Sequence, residues 1–137
     1  MVKGRVIVAG AATGELLRLE APISFWGGVD PVAGRIADPR HPDHGTSLAG
    51  RVLAVPSAVG SSSSSAIMLE LIREGKAPAA LILGTADAIV ALGVVVAGEL
   101  GLLTLPVVEA PWQDVMALPQ GSVRVAEDGV LTPVDAA

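Results

Sequence analysis

The chain has 137 residues, a formal charge of −5, 51% apolar and 2% aromatic residues, which is the length of one compact domain with an aliphatic core. Sparse acidic charge with no basic stripe excludes nucleic acid as an expected partner. With no cysteine, the chain can supply no disulfide, thiolate nucleophile or iron-sulfur ligand, so any such cofactor is expected to come from another chain.

The first residues, Met1 to Val8, alternate as a strand centred on Val6 to Val8 and lack the length and small-residue cleavage pattern of a signal peptide. A cytoplasmic protein is expected. Gly10 to Gly14 reads as a turn and Glu15 to Leu19 as a second strand. From Pro22 to Gly50 the density of Gly and Pro forbids a long helix and favours an ordered functional loop.

Beyond Arg51 strands and helices alternate. Val52 to Val55 is a short apolar strand. Ser61 to Glu74 is helical, with Ile67, Met68, Leu71 and Ile72 on one face and Gly75 as the glycine that ends it. Ala80 to Leu83 is the next strand, Asp87 to Glu99 the next helix, followed by Gly101, and Leu103 to Val108 the next strand. Two consecutive strand-helix-strand crossovers predict parallel strands and an α/β fold. The second helix is apolar nearly all round, with Gly93 and Gly98 allowing close approach, so it is expected to be sandwiched between layers.

The apolar stretch Ala79 to Val108 is no membrane span. Eleven residues separate Asp87 from Glu99, against the roughly 20 that a bilayer requires. So much aliphatic surface suggests a permanent partner subunit. Ser122 to Pro133 forms two alternating runs about Asp128-Gly129, a hairpin signal. The organisation expected is one domain over residues 1–137, with a core of about 4–108 and a C-terminal hairpin of about 122–134.

Chemistry concentrates where Gly60 delivers five serines, Ser61 to Ser65, between a strand and a helix. Backbone N–H groups and the positive end of the helix dipole lie at such a corner, so a hydroxyl there can meet an anion or be held as an alkoxide. No Gly-Lys-Ser/Thr ending follows, which excludes a Walker phosphate loop. The run is not Gly-x-Ser-x-Gly either, which weighs against a hydrolase triad. The plainer reading is that Ser61 is an N-cap.

Three other groups are ambiguous on sequence. Trp26, Gly27, Gly28 and Asp30 could close over a substrate or could simply form two turns. His41 and His44, with Asp38 and Asp43 nearby, read as a solvated loop rather than a metal site. Asp87 reads as a cap of the second helix.

In one collinear order from about Gly4 to Val108 run Ser24-Phe-Trp-Gly-Gly-Val-Asp-Pro, His41-Pro to Gly45, Leu48-Ala-Gly-Arg-Val-Leu, Pro56 with Gly60-Ser61-Ser62-Ser63, and Lys76-Ala-Pro-Ala-Ala. Together they resemble the small subunit of the aconitase X family. The resemblance implies a swivelling β/β/α domain that docks as a lid on a separate large subunit, and that subunit would carry the cysteines of an iron-sulfur centre and most substrate contacts. It implies a hydro-lyase heterodimer whose isolated small chain is inactive. Ser61 would be the catalytic base, with Gly60, Ser62, Ser63, Trp26, Gly27, Gly28 and Asp30 around the substrate and no metal in this chain.

The reaction implied is dehydration of cis-3-hydroxy-L-proline or of phosphorylated mevalonate. The hydroxyproline is favoured because the loop has no Arg or Lys to clamp a phosphate. Two departures stand out. The family pattern has a basic residue before the glycine and a glycine within the serine run, whereas this chain has Val59 and Ser64. A cation of the large subunit would then replace the missing one. The rival from another class is a non-catalytic swivel-fold binding or assembly module, and self-association of the isolated chain stays open.

Overall fold

The computed structural model describes residues 1–58 and 63–134. Among these described residues ten strands and four helical segments follow one another as β1 Val2–Lys3, β2 Arg5–Val8, β3 Ala12–Arg18, α1 Phe25–Gly28, β4 Val29–Asp30, β5 Arg35–Ile36, β6 Val52–Val55, α2 Ser64–Arg73, β7 Ala80–Leu83, α3 Ala88–Glu99, β8 Val107–Glu109, α4 Trp112–Met116, β9 Ser122–Val125 and β10 Val130–Pro133. Eight strands form one sheet in the order β1-β10-β9-β3-β6-β7-β8-β2. Its centre, β3-β6-β7-β8, is parallel, and its flanks are antiparallel.

Only Gly4 separates the two edge strands, β1 and β2, so the sheet curls until its ends nearly meet. Gly4 N–H donates to Gly129 O at 3.0 Å across that seam. The central strands are then buried on both faces, and alternation along each one sorts its residues between two cores. Leu17, Leu53, Val55, Leu81 and Leu83 meet α2, α3 and the Phe25 segment on one side. Leu16, Val52, Ala54, Ala80 and Ile82 meet Val115, Leu118, Val123, Val125 and Leu131 on the other. This is a mixed α/β architecture whose second β layer is the C-terminal hairpin folded back on the sheet.

Several expected elements are found at their expected bounds. Strands Val52–Val55 and Ala80–Leu83 are two, and both are buried throughout. Asp87 caps α3, its Oδ1 accepting from Ile89 N at 2.8 Å and Val90 N at 3.0 Å. Asp87→Ala is expected to cost about 0.5–2 kcal/mol, read by chemical denaturation. Gly75 and Gly101 end α2 and α3 at φ of 71° and 77°. Beyond them Lys76 N bonds Leu71 O and Leu102 N bonds Ala97 O, the closure that a left-handed glycine permits.

Three expectations are corrected. The third parallel strand begins at Val107 rather than Leu103, because Pro106 cannot donate to the ladder and can only accept, from Leu81 N at 3.0 Å. The Gly10 to Gly14 turn is shorter, since β3 already runs from Ala12 with Gly14 opposite Val123. Gly14 is there because a Cβ would stand 2.8 Å from Gly50 O. Helix α2 is described from Ser64, and the expected start at Ser61 lies outside the described residues. Helix α3 is not sandwiched. Val90, Ala91, Gly93, Val94 and Ala97 are buried, but Ile89, Leu92 and Val95 face outward, with Leu92 52% exposed. Among the described residues no helix is long and apolar enough to cross a membrane.

Candidate functional site

In a parallel sheet the chain leaves each strand at its carboxyl end into a loop that opens a helix, and ligands bind along that edge. Two such corners lie side by side here, after β6 and after β7, and they differ chemically. At the β7 corner the backbone donors are already filled by carboxylates. Asp87 takes Ile89 N and Val90 N, and Glu109 Oε2 takes Ala86 N at 2.7 Å. At the β6 corner Ser63 precedes α2 and makes no side-chain cap to the helix. By composition this second corner, Pro56 to Ser65, has hydroxyls and no acid, which suits it to meet an anion.

Val59, Gly60, Ser61 and Ser62 lie outside the described residues, so the structure speaks to their flanks. Ser64, where the resemblance expects glycine, is the first residue of α2 and is 3% exposed. Ser57 and Ala58 on the other flank touch the Phe-Trp segment. Ile23 pairs with Ala58 in a parallel bridge, and Ile23 N donates to Ser57 O at 3.3 Å. Phe25 is then fully buried in the helix-side core, and α1 packs against α2. Fold topology thus brings Trp26 and the serine run's flanks to one neighbourhood, although 30 or more residues of sequence separate them.

Within that segment the candidates separate. Trp26 is 58% exposed, with Ser24 Oγ donating to its carbonyl at 2.9 Å. Gly27, at φ 82°, makes the turn that presents it. Gly28 is buried against Ile23. Asp30 is engaged in a turn, its Oδ1 accepting from Val32 N at 3.0 Å and Ala33 N at 3.1 Å. Of these residues, Trp26 is the one whose side chain stands free to cover a ligand.

His41 is buried at 8% exposure, contrary to the solvated loop expected, while His44 is exposed. The His41 Nδ1 atom accepts from Asp43 N at 3.0 Å, which leaves Nε2 to carry the proton and donate to Ala21 O at 3.1 Å. The ring thereby ties the Pro39 to Gly45 loop to the strand-exit leading into the Phe-Trp segment. His41→Ala would leave a carbonyl and an N–H unpaired, and a loss of about 1–3 kcal/mol is expected, measured by thermal denaturation. Among the described residues no group of three His, Asp or Glu side chains could hold a metal.

Sequence reading missed Glu109 and Arg5. Glu109 is the last residue of β8, and its Oε1 accepts from Arg5 Nε at 3.0 Å. These two line, with Lys3, Gly84, Ala110 and Pro111, a cleft of about 330 Å³ on the carboxyl edge. The Ala86 N–H, then Arg5, holds the Glu109 carboxyl below its ordinary value of 4.5. An acid closing a strand at this edge is the signal that could have singled it out. On β3, separated from β8 by β6 and β7, Arg18 donates to Val115 O and Leu118 O at 3.1 and 2.9 Å, ending α4.

Comparison with known proteins matches residues 1–132 to the family described as the aconitase X swivel domain. A phosphomevalonate dehydratase small subunit of Thermococcus onnurineus is 43% identical over 135 residues, which is 98% of each chain. A cis-3-hydroxy-L-proline dehydratase of Pseudomonas aeruginosa is 48% identical over 107 residues, 78% of this chain but 18% of that protein. The crystal structure of Thermococcus kodakaraensis aconitase X in its holo-form matches with a TM-score of 0.86 and 37% identity, covering 98% of both chains.

Proposed function

The chain belongs to the aconitase X swivel-domain family, and we propose that it is a single swivel unit, the small subunit of a two-chain hydro-lyase in which Ser61 is the catalytic base. The observation that carries the reading is the pairing of end-to-end likeness to a dehydratase small subunit with a run of five serines between β6 and α2. A free hydroxyl is an ineffective base at neutral pH, so removing a proton beside a carboxylate requires an alkoxide stabilised by its surroundings. Helix N-terminal amides beside the serine run contribute part of that stabilisation. Arg5 is engaged by Glu109 and Arg18 by α4, and the remainder is assigned in this reading to the partner.

The partner in this reading is a large subunit that holds an iron-sulfur cluster or another metal centre. This chain has no cysteine, and its part is to supply the base, exclude water with Trp26 and fit Gly60, Ser62 and Ser63 to the substrate. The outward apolar face of α3 supports the expectation that another chain covers this one. As the substrate we favour cis-3-hydroxy-L-proline, on the absence of any Arg or Lys in the serine loop and on the likeness to the Pseudomonas enzyme. A specific observation favours the second reading, phosphomevalonate, since those small subunits are separate chains of matching length.

Co-purification with a large subunit of this family from the same organism, followed by assay on both acids, tests the proposal. Dehydration of one acid by the pair, and by neither chain alone, is expected. If the pair forms and dehydrates neither, the non-catalytic assembly module is the better reading.

A further inference from the structure

We propose that Glu109 is a positioning residue for the serine corner, acting through the backbone of the β7–α3 loop. This deepens the dehydratase reading and rests on it. The carboxylate joins three elements. Through Oε1 it holds Arg5 of the edge strand β2, with Nε at 3.0 Å and Nη2 at 2.9 Å, and through Oε2 it holds the Ala86 N–H at 2.7 Å. Ala86 lies in the loop that starts at Gly84, and Gly84 stands directly against Pro56. A Cβ added at Gly84 would lie 2.5 Å from Pro56 O and 3.3 Å from Trp112 Cβ.

Pro56 is followed by Ser57 and Ala58, which lead into the serine run. The path from carboxylate to corner therefore runs Glu109, Ala86, Gly84, Pro56, with no side chain free to yield between Gly84 and Pro56. Close packing of backbone on backbone transmits displacement rather than absorbing it. The loop's second anchor, Gly84 N to Val55 O at 3.0 Å, ties it to the same strand exit. The lowered pKa of Glu109, caused first by the Ala86 N–H and then by Arg5, agrees with a carboxylate that stays charged throughout the neutral range. Protonation in acid would remove the contribution made above its ordinary value, so the β7–α3 loop is expected to loosen as pH falls through the folded-state value.

Amide hydrogen exchange of the full chain tests the coupling without reference to turnover. In Glu109→Ala, exchange of Ala86 and Gly84 is expected to quicken about tenfold, and that of Ile23, Ala66 and Ile67, which bond Ser57 O and Ser63 O, to quicken with it. Glu109→Gln keeps an acceptor for Ala86 N–H and is expected to restore most of the protection. In the complex, Glu109→Ala should lower kcat on the order of tenfold or more with KM little changed, since misplacement of a base acts on the transition state. Acceleration confined to the β7–α3 loop, acceleration spread equally through β3 and β9, or no recovery in Glu109→Gln overturns the inference. Undiminished dehydration by Ser61→Ala would instead defeat the dehydratase reading and leave the exchange coupling standing.

Discussion

Alanine at position 61 is expected to lower dehydration by the assembled pair by about 10²–10⁴-fold, with complex formation intact. The size follows from the role. If the hydroxyl removes the substrate proton, the acids described near the corner are poorly placed to replace it, since they already serve backbone donors: Asp87 takes Ile89 N and Val90 N, and Glu109 takes Ala86 N. The measurement is single-turnover kinetics of the wild-type and variant pairs, alongside a gel-filtration check that the pair persists. A variant that dehydrates at the wild-type rate would end the case for serine as the base. A variant that cannot associate would show that position 61 serves assembly.

Valine at position 93 is expected to lower stability by more than about 3 kcal/mol, and alanine by about 1–3 kcal/mol. At Gly93 the backbone of α3 lies directly on α2. A Cβ there would stand 2.5 Å from Ser65 O and 3.0 Å from Met68 Cβ. Backbone cannot rotate away as a side chain can, so the helices must separate, and the separation falls on the first turn of α2, next to the serine run. Thermal denaturation should show a fall on the order of 5–10 °C for Gly93→Ala. Gly98→Ala is the contrasting case. Its Cβ would meet only Thr104 Cγ2 at 3.1 Å on an exposed surface, and the better helix former is expected to be neutral or stabilising by up to about 1 kcal/mol. Equal losses at the two glycines would refute close packing as the cause.

Both helices were legible in the sequence because their ends are local chemistry. Asp87 before an apolar run, and Gly75 and Gly101 after one, specify caps through contacts within a few residues. The hairpin about Asp128-Gly129 is of the same kind, and β9 and β10 flank it as expected. The resemblance found the corner in the same way, through residues that keep their order along the chain. The helix Phe25–Gly28 and the helix Trp112–Met116 were not legible. Each is a single turn held by its neighbours, and Trp26 and Gly27 within the first are not helical in backbone.

By itself, the sequence determined the alternation of strands and helices, the aliphatic core, the caps and the cluster of serines at a strand-to-helix corner, all of which depend on neighbours a few positions away. Only the tertiary structure decided that His41 is buried with its ring bridging two loops, that α3 leaves one apolar face bare, and that Glu109 reaches both Arg5 and Ala86. The physical reason is range. Burial and pairing are properties of the space between elements, and that space is set when the sheet curls to bring β1 and β2, separated by one glycine, to its opposite edges.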